Sequence, residues 1–321
     1  MIYFGKMREI KLLILLGVIF LGACLPEKES STFIVSTITP VPSKLPQPTN
    51  TIIPFTPTPP IQITRDIIYA EPLQNQVSEQ RLDIYAPIEA GPWPVVVFLH
   101  GSGRKESQVE FSQMLAESGV VVFNIDWPTW NASRAAQEDG KGFREMYEVM
   151  SCAVRFAKAT AADHGGDSPK VILVGFSGGA RYGSWFALSG DDLLPMWEDF
   201  STIRGGPPPQ VSCLVDEYSA DVSAFVGIGG HYAFIENLKD KDVELYNVVS
   251  PLAQIGRRPD LTVRVLHGEK DQNYPTDFSA RFNDFLESAG YDTALILYDG
   301  AHQVPVDLTI RVITELARTE R

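Results

Sequence analysis

This chain of 321 residues has only three cysteines and five histidines, and it is short of positive charge. Lysine and arginine total 27 against 40 acidic residues, a net charge of -13 at pH 7. Phosphate backbones bind basic surfaces, so the balance excludes nucleic acid as a partner. The few cysteines and histidines form no metal-ligating cluster in the sequence, and no internal repeat is visible. The glycine-rich "GIGGH" (Gly227–His231) lacks the full dinucleotide-binding pattern and reads as a loop. No cofactor and no metal are therefore expected. The apolar run from Leu12 to Phe20 is too short for a typical bilayer-spanning helix.

That run reads instead as a secretory signal. Lys6, Arg8 and Lys11 precede it, and it ends in small residues at "LGAC" (Leu21–Cys24). The ending resembles a bacterial lipobox, in which the cysteine is lipidated and becomes the new N-terminus. Residues 1–23 are then a signal peptide and Cys24 the lipidation site. Residues 24–60 follow, with "STFIVSTITPVPSKLPQPTNTIIPFTPTPP" (Ser31–Pro60) dense in Pro, Thr and Ser. Proline removes backbone donors and favours extended, solvated chain, so this segment reads as a tether. The expected location is outside the cell membrane, with a lipid on Cys24 holding a folded body at a bacterial envelope surface. Export also makes Cys152 and Cys213 a disulfide candidate, tying a helix to the segment just before the strand near Val222.

From Ile61 to Arg321 the pattern is that of a single folded body. "DIIYA" and "QRLDIYAP" alternate apolar and polar residues, as a half-buried antiparallel pair does. "PVVVFLH", "VVVFNID", "KVILVGF", "DVSAFVGIGG", "LTVRVLHG" and "TALILYDG" are continuously apolar, which suits strands buried on both faces. Amphipathic segments separate many of them, among them "VEFSQMLAESG", "FREMYEVMSCAVRFAKATAADHGG" and "DFSARFNDFLESAG". The alternation predicts an α/β fold: a mostly parallel sheet with helices on both faces. The stretch from Asp191 to Tyr218, part of an insertion over about 191–220, interrupts it. It reads either as a lid or binding loop or as a surface excursion pinned by Cys213.

In a parallel sheet, chemistry gathers outside the carboxyl ends of the strands. Those positions carry His100-Gly101-Ser102-Gly103, Ser177-Gly178-Gly179, Asp271 and His302. Each alone has a plainer reading, as a turn, a cap or a structural histidine. Together they place a serine, an acid and a base in that order along the chain. Here the sequence resembles the α/β-hydrolase family. "GFSGG" (Gly175–Gly179) matches the G-x-S-x-G nucleophile elbow, and the order Ser…Asp…His matches as well. "HGSG" resembles the HGGG-type oxyanion loop, with Ser102 in place of a glycine. The resemblance spans about Asp66 to Ala317 and is nearest to bacterial carboxylesterase-like and feruloyl-esterase-like members.

The resemblance implies a serine hydrolase that cleaves carboxylic esters, on small molecules or on polymers. Ser177 would be the nucleophile, His302 the base and Asp271 its orienting acid. The backbone N–H groups of Gly178 and of Ser102 or Gly103 would bind the oxyanion. Losing one such donor typically costs about 3–4 kcal/mol of barrier. Within the site Glu269 is the rival acid, and Asp299 lies too close to His302 in sequence to orient it easily. His267 reads as structural, His100 as shaping the oxyanion loop, and His231 and the tryptophans of "DWPTWN" as candidate pocket walls. Two other readings stay open: a tethered binding protein on a hydrolase scaffold that has lost activity, and a peptidase or polymer-ester depolymerase.

Overall fold

The apolar runs become strands of one sheet in the computed structural model, which describes residues 60–74, 77–128, 141–204 and 208–319. The chain divides into two compact units, Met1–Pro54 and Phe55–Arg321, and all the described residues belong to the second. The expected signal segment, Cys24 and nearly all of the expected tether lie outside the described residues, as does Trp130.

The strands are β1 (Ile61–Pro72), β2 (Gln80–Pro87), β3 (Trp93–Leu99), β4 (Val121–Ile125), β5 (Gly166–Phe176), β6 (Val211–Cys213), β7 (Ala224–Ile228), β8 (Thr262–Gly268) and β9 (Thr293–Tyr298). Their order across the sheet is β6-β1-β2-β4-β3-β5-β7-β8-β9. From β4 to β9 every neighbour is parallel. The β1–β2, β1–β6 and β2–β4 pairs are antiparallel. At the centre Val97 pairs with both Phe123 and Leu173, and Val174 with Val226. Such strands have apolar neighbours on both faces, which is why they read as unbroken apolar runs.

Helices cover both faces. On one face lie α1 (Val109–Glu117) and α7 (Val306–Thr319), burying Phe111, Leu115, Val312, Ile313 and Leu316. The other face takes α2 (Lys141–Thr160), α3 (Gly178–Ser189), α4 (Leu193–Arg204), α5 (Val243–Val249) and α6 (Asp277–Ser288). Along α2 the buried residues Phe143, Met146, Tyr147, Met150, Ala153, Val154 and Ala157 recur every three or four positions. They form the stripe that seats this helix on the sheet. The connectivity and the two covered faces are those of the α/β-hydrolase fold.

The insertion is a packed excursion in its described part. Trp197 is completely buried and Phe200 nearly so, both in the main core. Within it, Val211–Cys213 pairs with β1 at the edge of the sheet. Cys213 bonds to Cys152 of α2, so the disulfide ties that helix to the segment before β7, which here forms an edge strand. A three-residue strand has too little pattern to be read, because its pairing comes from the partner strand.

Candidate active site

The sequence positions the key serine through a tight strand-to-helix turn. β5 ends at Phe176 and α3 begins at Gly178, so Ser177 alone makes the corner, with φ 53° and ψ -109°. A non-glycine residue with positive φ is costly by roughly 1–3 kcal/mol and persists only where its surroundings hold it. Here they do: the Ser177 N–H donates to the Ile228 carbonyl at 2.8 Å, and the Ser177 carbonyl accepts from Arg181 N–H at 3.1 Å. The flanking glycines allow the close approach. A methyl group on Gly175 would lie 2.3 Å from the Gly179 carbonyl oxygen, and one on Gly179 would lie 2.1 Å from that of Leu99. Gly178 opens α3, so its N–H is among the helix-terminal donors without an intrahelical partner, at the positive end of the helix dipole.

The acid and base come from the next strand ends. Asp271 follows β8 and His302 follows β9, and His302 Nδ1 lies 2.7 Å from Asp271 Oδ2. That geometry suits a ring that donates from Nδ1 and leaves Nε2 free to accept. The other carboxylate oxygen, Oδ1, accepts from the N–H groups of Asn273 at 2.8 Å and Tyr274 at 3.0 Å. Burial alone would raise the Asp271 carboxyl, but the bonds from His302 and from these N–H groups outweigh it and hold the group below its ordinary value. It is a carboxylate fixed in charge and in orientation.

Ser177 and His302 line one cleft of about 600 Å³, together with Gly101, Ser102, Trp127, Phe176 and Gly178. The lining also includes Arg181, Tyr182, Gln272, Asn273 and Tyr274. The Phe176 and His302 rings pack at 5.1 Å. Ser102 thus lies in the cleft beside Gly178, whereas Gly103 is not part of its lining and turns toward Ser107 with φ 121°. Behind this loop Lys105 is almost fully buried, with Nζ 2.8 Å from Asp83 Oδ1 and 3.0 Å from Asp66 Oδ1. Its N–H also donates to Asp126 at 3.1 Å. Burial opposes its charge, but the two aspartates hold the amine above its ordinary value. The ammonium therefore clamps the chain just after the glycine loop.

The remaining candidates separate by position. His100 is fully buried, its Nδ1 3.0 Å from the Gly101 carbonyl, and burial lowers its pKa. The indole of Trp127 donates to the His100 carbonyl at 3.2 Å, so both residues brace the glycine loop while Trp127 also faces the cleft. His267 is buried behind the acid: Nδ1 meets Ser279 Oγ at 2.6 Å, and Nε2 lies 3.0 Å from the Tyr274 carbonyl and 3.3 Å from Asp271 Oδ2. His231 is not in the cleft lining; its ring packs at a tilt against Phe278 at 4.0 Å and Tyr274 at 5.5 Å. Glu269 is exposed, and Asp299 pairs with Lys270, so neither is the carboxylate on His302. Among the described residues, none from the insertion over 191–220 lines the cleft. Sequence reasoning passed over Arg181 and Tyr274. The spacing was a signal for the first, since a residue four positions after Ser177 sits in the first turn of the helix that the elbow starts.

A serine forced into a strained corner at the end of a parallel strand, in a sheet covered on both faces and in one cleft with an Asp-braced histidine, is the arrangement of an α/β-hydrolase. The chain belongs to the BD-FAE family, whose model matches residues 82–286. It is 28% identical over 262 residues to a probable isoprenylcysteine alpha-carbonyl methylesterase of Oryza sativa subsp. japonica, covering 74% of this chain and 56% of that protein. An Arabidopsis thaliana protein described in the same words is 25% identical over 266 residues, covering 74% of this chain and 50% of its own length. The chain thus spans about half the length of the curated relatives it matches. Among solved structures, a truncated carbohydrate esterase from gut microbiota matches with a TM-score of 0.61 at 15% identity, over 80% of this chain and 96% of that one. An esterase from Thermogutta terrifontis matches with a TM-score of 0.53 at 17% identity, over 82% and 93%. These likenesses carry the fold.

Proposed function

We propose that this chain is a carboxylic ester hydrolase that works through an acyl-enzyme on Ser177. The observation that carries the reading is the strained Ser177 corner opening into the cleft it shares with His302, whose Nδ1 is held by the buried Asp271. Relatives named as methylesterases and fold neighbours named as esterases support the same reaction class.

The proposed steps are those of an acyl-enzyme reaction. Ser177 Oγ attacks the ester carbonyl while its proton passes to His302 Nε2. The oxyanion of the tetrahedral intermediate accepts from Gly178 N–H and from a backbone N–H of Ser102 or Gly103. Ser102 lines the cleft, which favours its N–H. Collapse breaks the bond to the alcohol oxygen, which takes the proton from His302 and leaves. Water then attacks the acyl-enzyme, gives a proton to His302, and the acid departs as Ser177 regains its proton. Asp271 stabilises the imidazolium in both halves and stays ionised.

The same proposal includes export and anchoring through Cys24, with the substrate on a small molecule or a polymer outside the cell. The basic residues, short apolar run and "LGAC" ending support it, as does the Cys152–Cys213 disulfide. The test is hydrolysis of short- and long-chain 4-nitrophenyl esters by the full chain beside Ser177→Ala. Turnover by wild type and a fall of several orders of magnitude in the variant are expected. Equal rates for the two proteins overturn the reading. In an exporting bacterial host, Cys24→Ala is expected to move the protein from the membrane fraction to the soluble one.

A further inference from the structure

We propose that Arg181 is a recognition site for an anionic group on the substrate, so that the preferred ester carries a carboxylate on its acyl or its alcohol part. The proposal rests on the ester-hydrolase reading and adds the substrate class to it.

Arg181 lies one helical turn after Ser177 and lines the same cleft. Its guanidinium lies against two aromatic rings, 4.8 Å from the Phe234 centroid and 5.7 Å from that of Tyr274. One nitrogen, Nη2, donates to the Tyr274 hydroxyl at 2.9 Å. Another, Nε, is buried without a hydrogen-bond partner among the described residues. No described carboxylate forms an ion pair with Arg181, although other buried or half-buried arginines, Arg144, Arg155 and Arg258, each have one. The nearby His231 is pushed down to about 4 by its burial and by Arg181 itself, so it is neutral at pH 7 and brings no competing charge.

An arginine held this way is a preorganised fork to which no described carboxylate is paired. Cation–π contact offsets part of its desolvation, but a carboxylate is the partner its geometry fits best. Arg181 N–H donates to the Ser177 carbonyl and both residues line the one cleft, so an anion held by Arg181 would share that cleft with an ester at Ser177. A chain this acidic does not attract anions at long range, so the arginine acts as a local determinant of specificity and not as a steering charge. Tyr274 ties it to the acid loop, because the Tyr274 N–H also holds Asp271.

The test compares matched esters on the full chain. On the acyl side, 4-nitrophenyl hydrogen succinate is set against its neutral methyl ester. On the alcohol side, acetylsalicylate is set against methyl acetylsalicylate. The readout is the ratio of kcat/KM, anionic over neutral, in wild type, Arg181→Gln and Arg181→Lys. A loss of Tyr274 anchoring lowers both members of a pair and cancels in the ratio. Wild type is expected to favour the anionic member of one pair, and Arg181→Gln to lower that ratio by about 10- to 100-fold. Arg181→Lys is expected to retain part of it. A wild-type ratio at or below one in both pairs, or a ratio unmoved in Arg181→Gln, overturns the proposal. If wild type cleaves none of these esters, the hydrolase reading fails, and calorimetry decides the anion site separately. Tighter binding of monomethyl succinate than of dimethyl succinate to wild type, lost in Arg181→Gln, supports the site. Equal binding overturns it.

Discussion

Replacing Asp271 by asparagine tests the proposed site with almost no change of shape. In the native protein Oδ1 accepts from two backbone N–H groups, those of Asn273 and Tyr274, and Oδ2 faces His302 Nδ1 at 2.7 Å. An asparagine must keep its carbonyl oxygen on the two N–H groups, because the reverse orientation would point an NH₂ at two donors. Its amide nitrogen then falls where Oδ2 was and donates to His302. The imidazole is driven to the tautomer with the proton on Nε2, which cannot accept a proton from Ser177. A comparable change at a catalytic triad lowers kcat by about 10⁴, which corresponds to about 5 kcal/mol of barrier. The assay is kcat on 4-nitrophenyl acetate at pH 7 for wild type and Asp271→Asn, with thermal melts showing that both fold. A variant within tenfold of wild type would refute the reasoning.

Other consequences follow from the packing and the charges. Gly179→Ala would force a methyl group to within 2.1 Å of the Leu99 carbonyl oxygen, so it should destabilise by at least about 2 kcal/mol and lower Tm by roughly 4–8 °C, read by calorimetry. The Cys152–Cys213 bond closes a loop of 61 residues, and its reduction should lower the unfolding free energy by about 2–4 kcal/mol in denaturant titrations. Asp271 has a depressed native pKa, so the stability it contributes is present above about pH 4 and lost as pH falls through the native value. Asp271→Asn should accordingly flatten the fall in stability measured as the pH is lowered below about 4, and an unchanged slope would count against this linkage.

Much of this was legible in the sequence because burial leaves a mark on composition. The parallel strands are sandwiched between helix layers, and "VILVGF" or "VRVLHG" can be little else. Ser177, Asp271 and His302 follow such strands directly, so the rule about strand ends found them together. Other features depend on partners far away in sequence. β6 is three residues long and exists because β1 offers an edge to pair with. Trp197 and Phe200 look like a candidate lid in sequence, yet they fill the main core, because an isolated tryptophan does not say which side of it will be covered. The buried Lys105 is visible only once Asp66 and Asp83 arrive from β1 and β2. Arg181 stood at helical spacing from Ser177, but the absence of a carboxylate partner among the described residues is a fact of three dimensions.

The central claim is that Ser177 is the nucleophile. It is tested most directly by treating the full chain with a fluorophosphonate and locating the adduct by mass spectrometry of the peptides. A single adduct on Ser177, formed rapidly in wild type, slowly in His302→Ala and not at all in Ser177→Ala, is the predicted result. No adduct in folded wild type, or an adduct on another residue that persists in Ser177→Ala, would contradict the account.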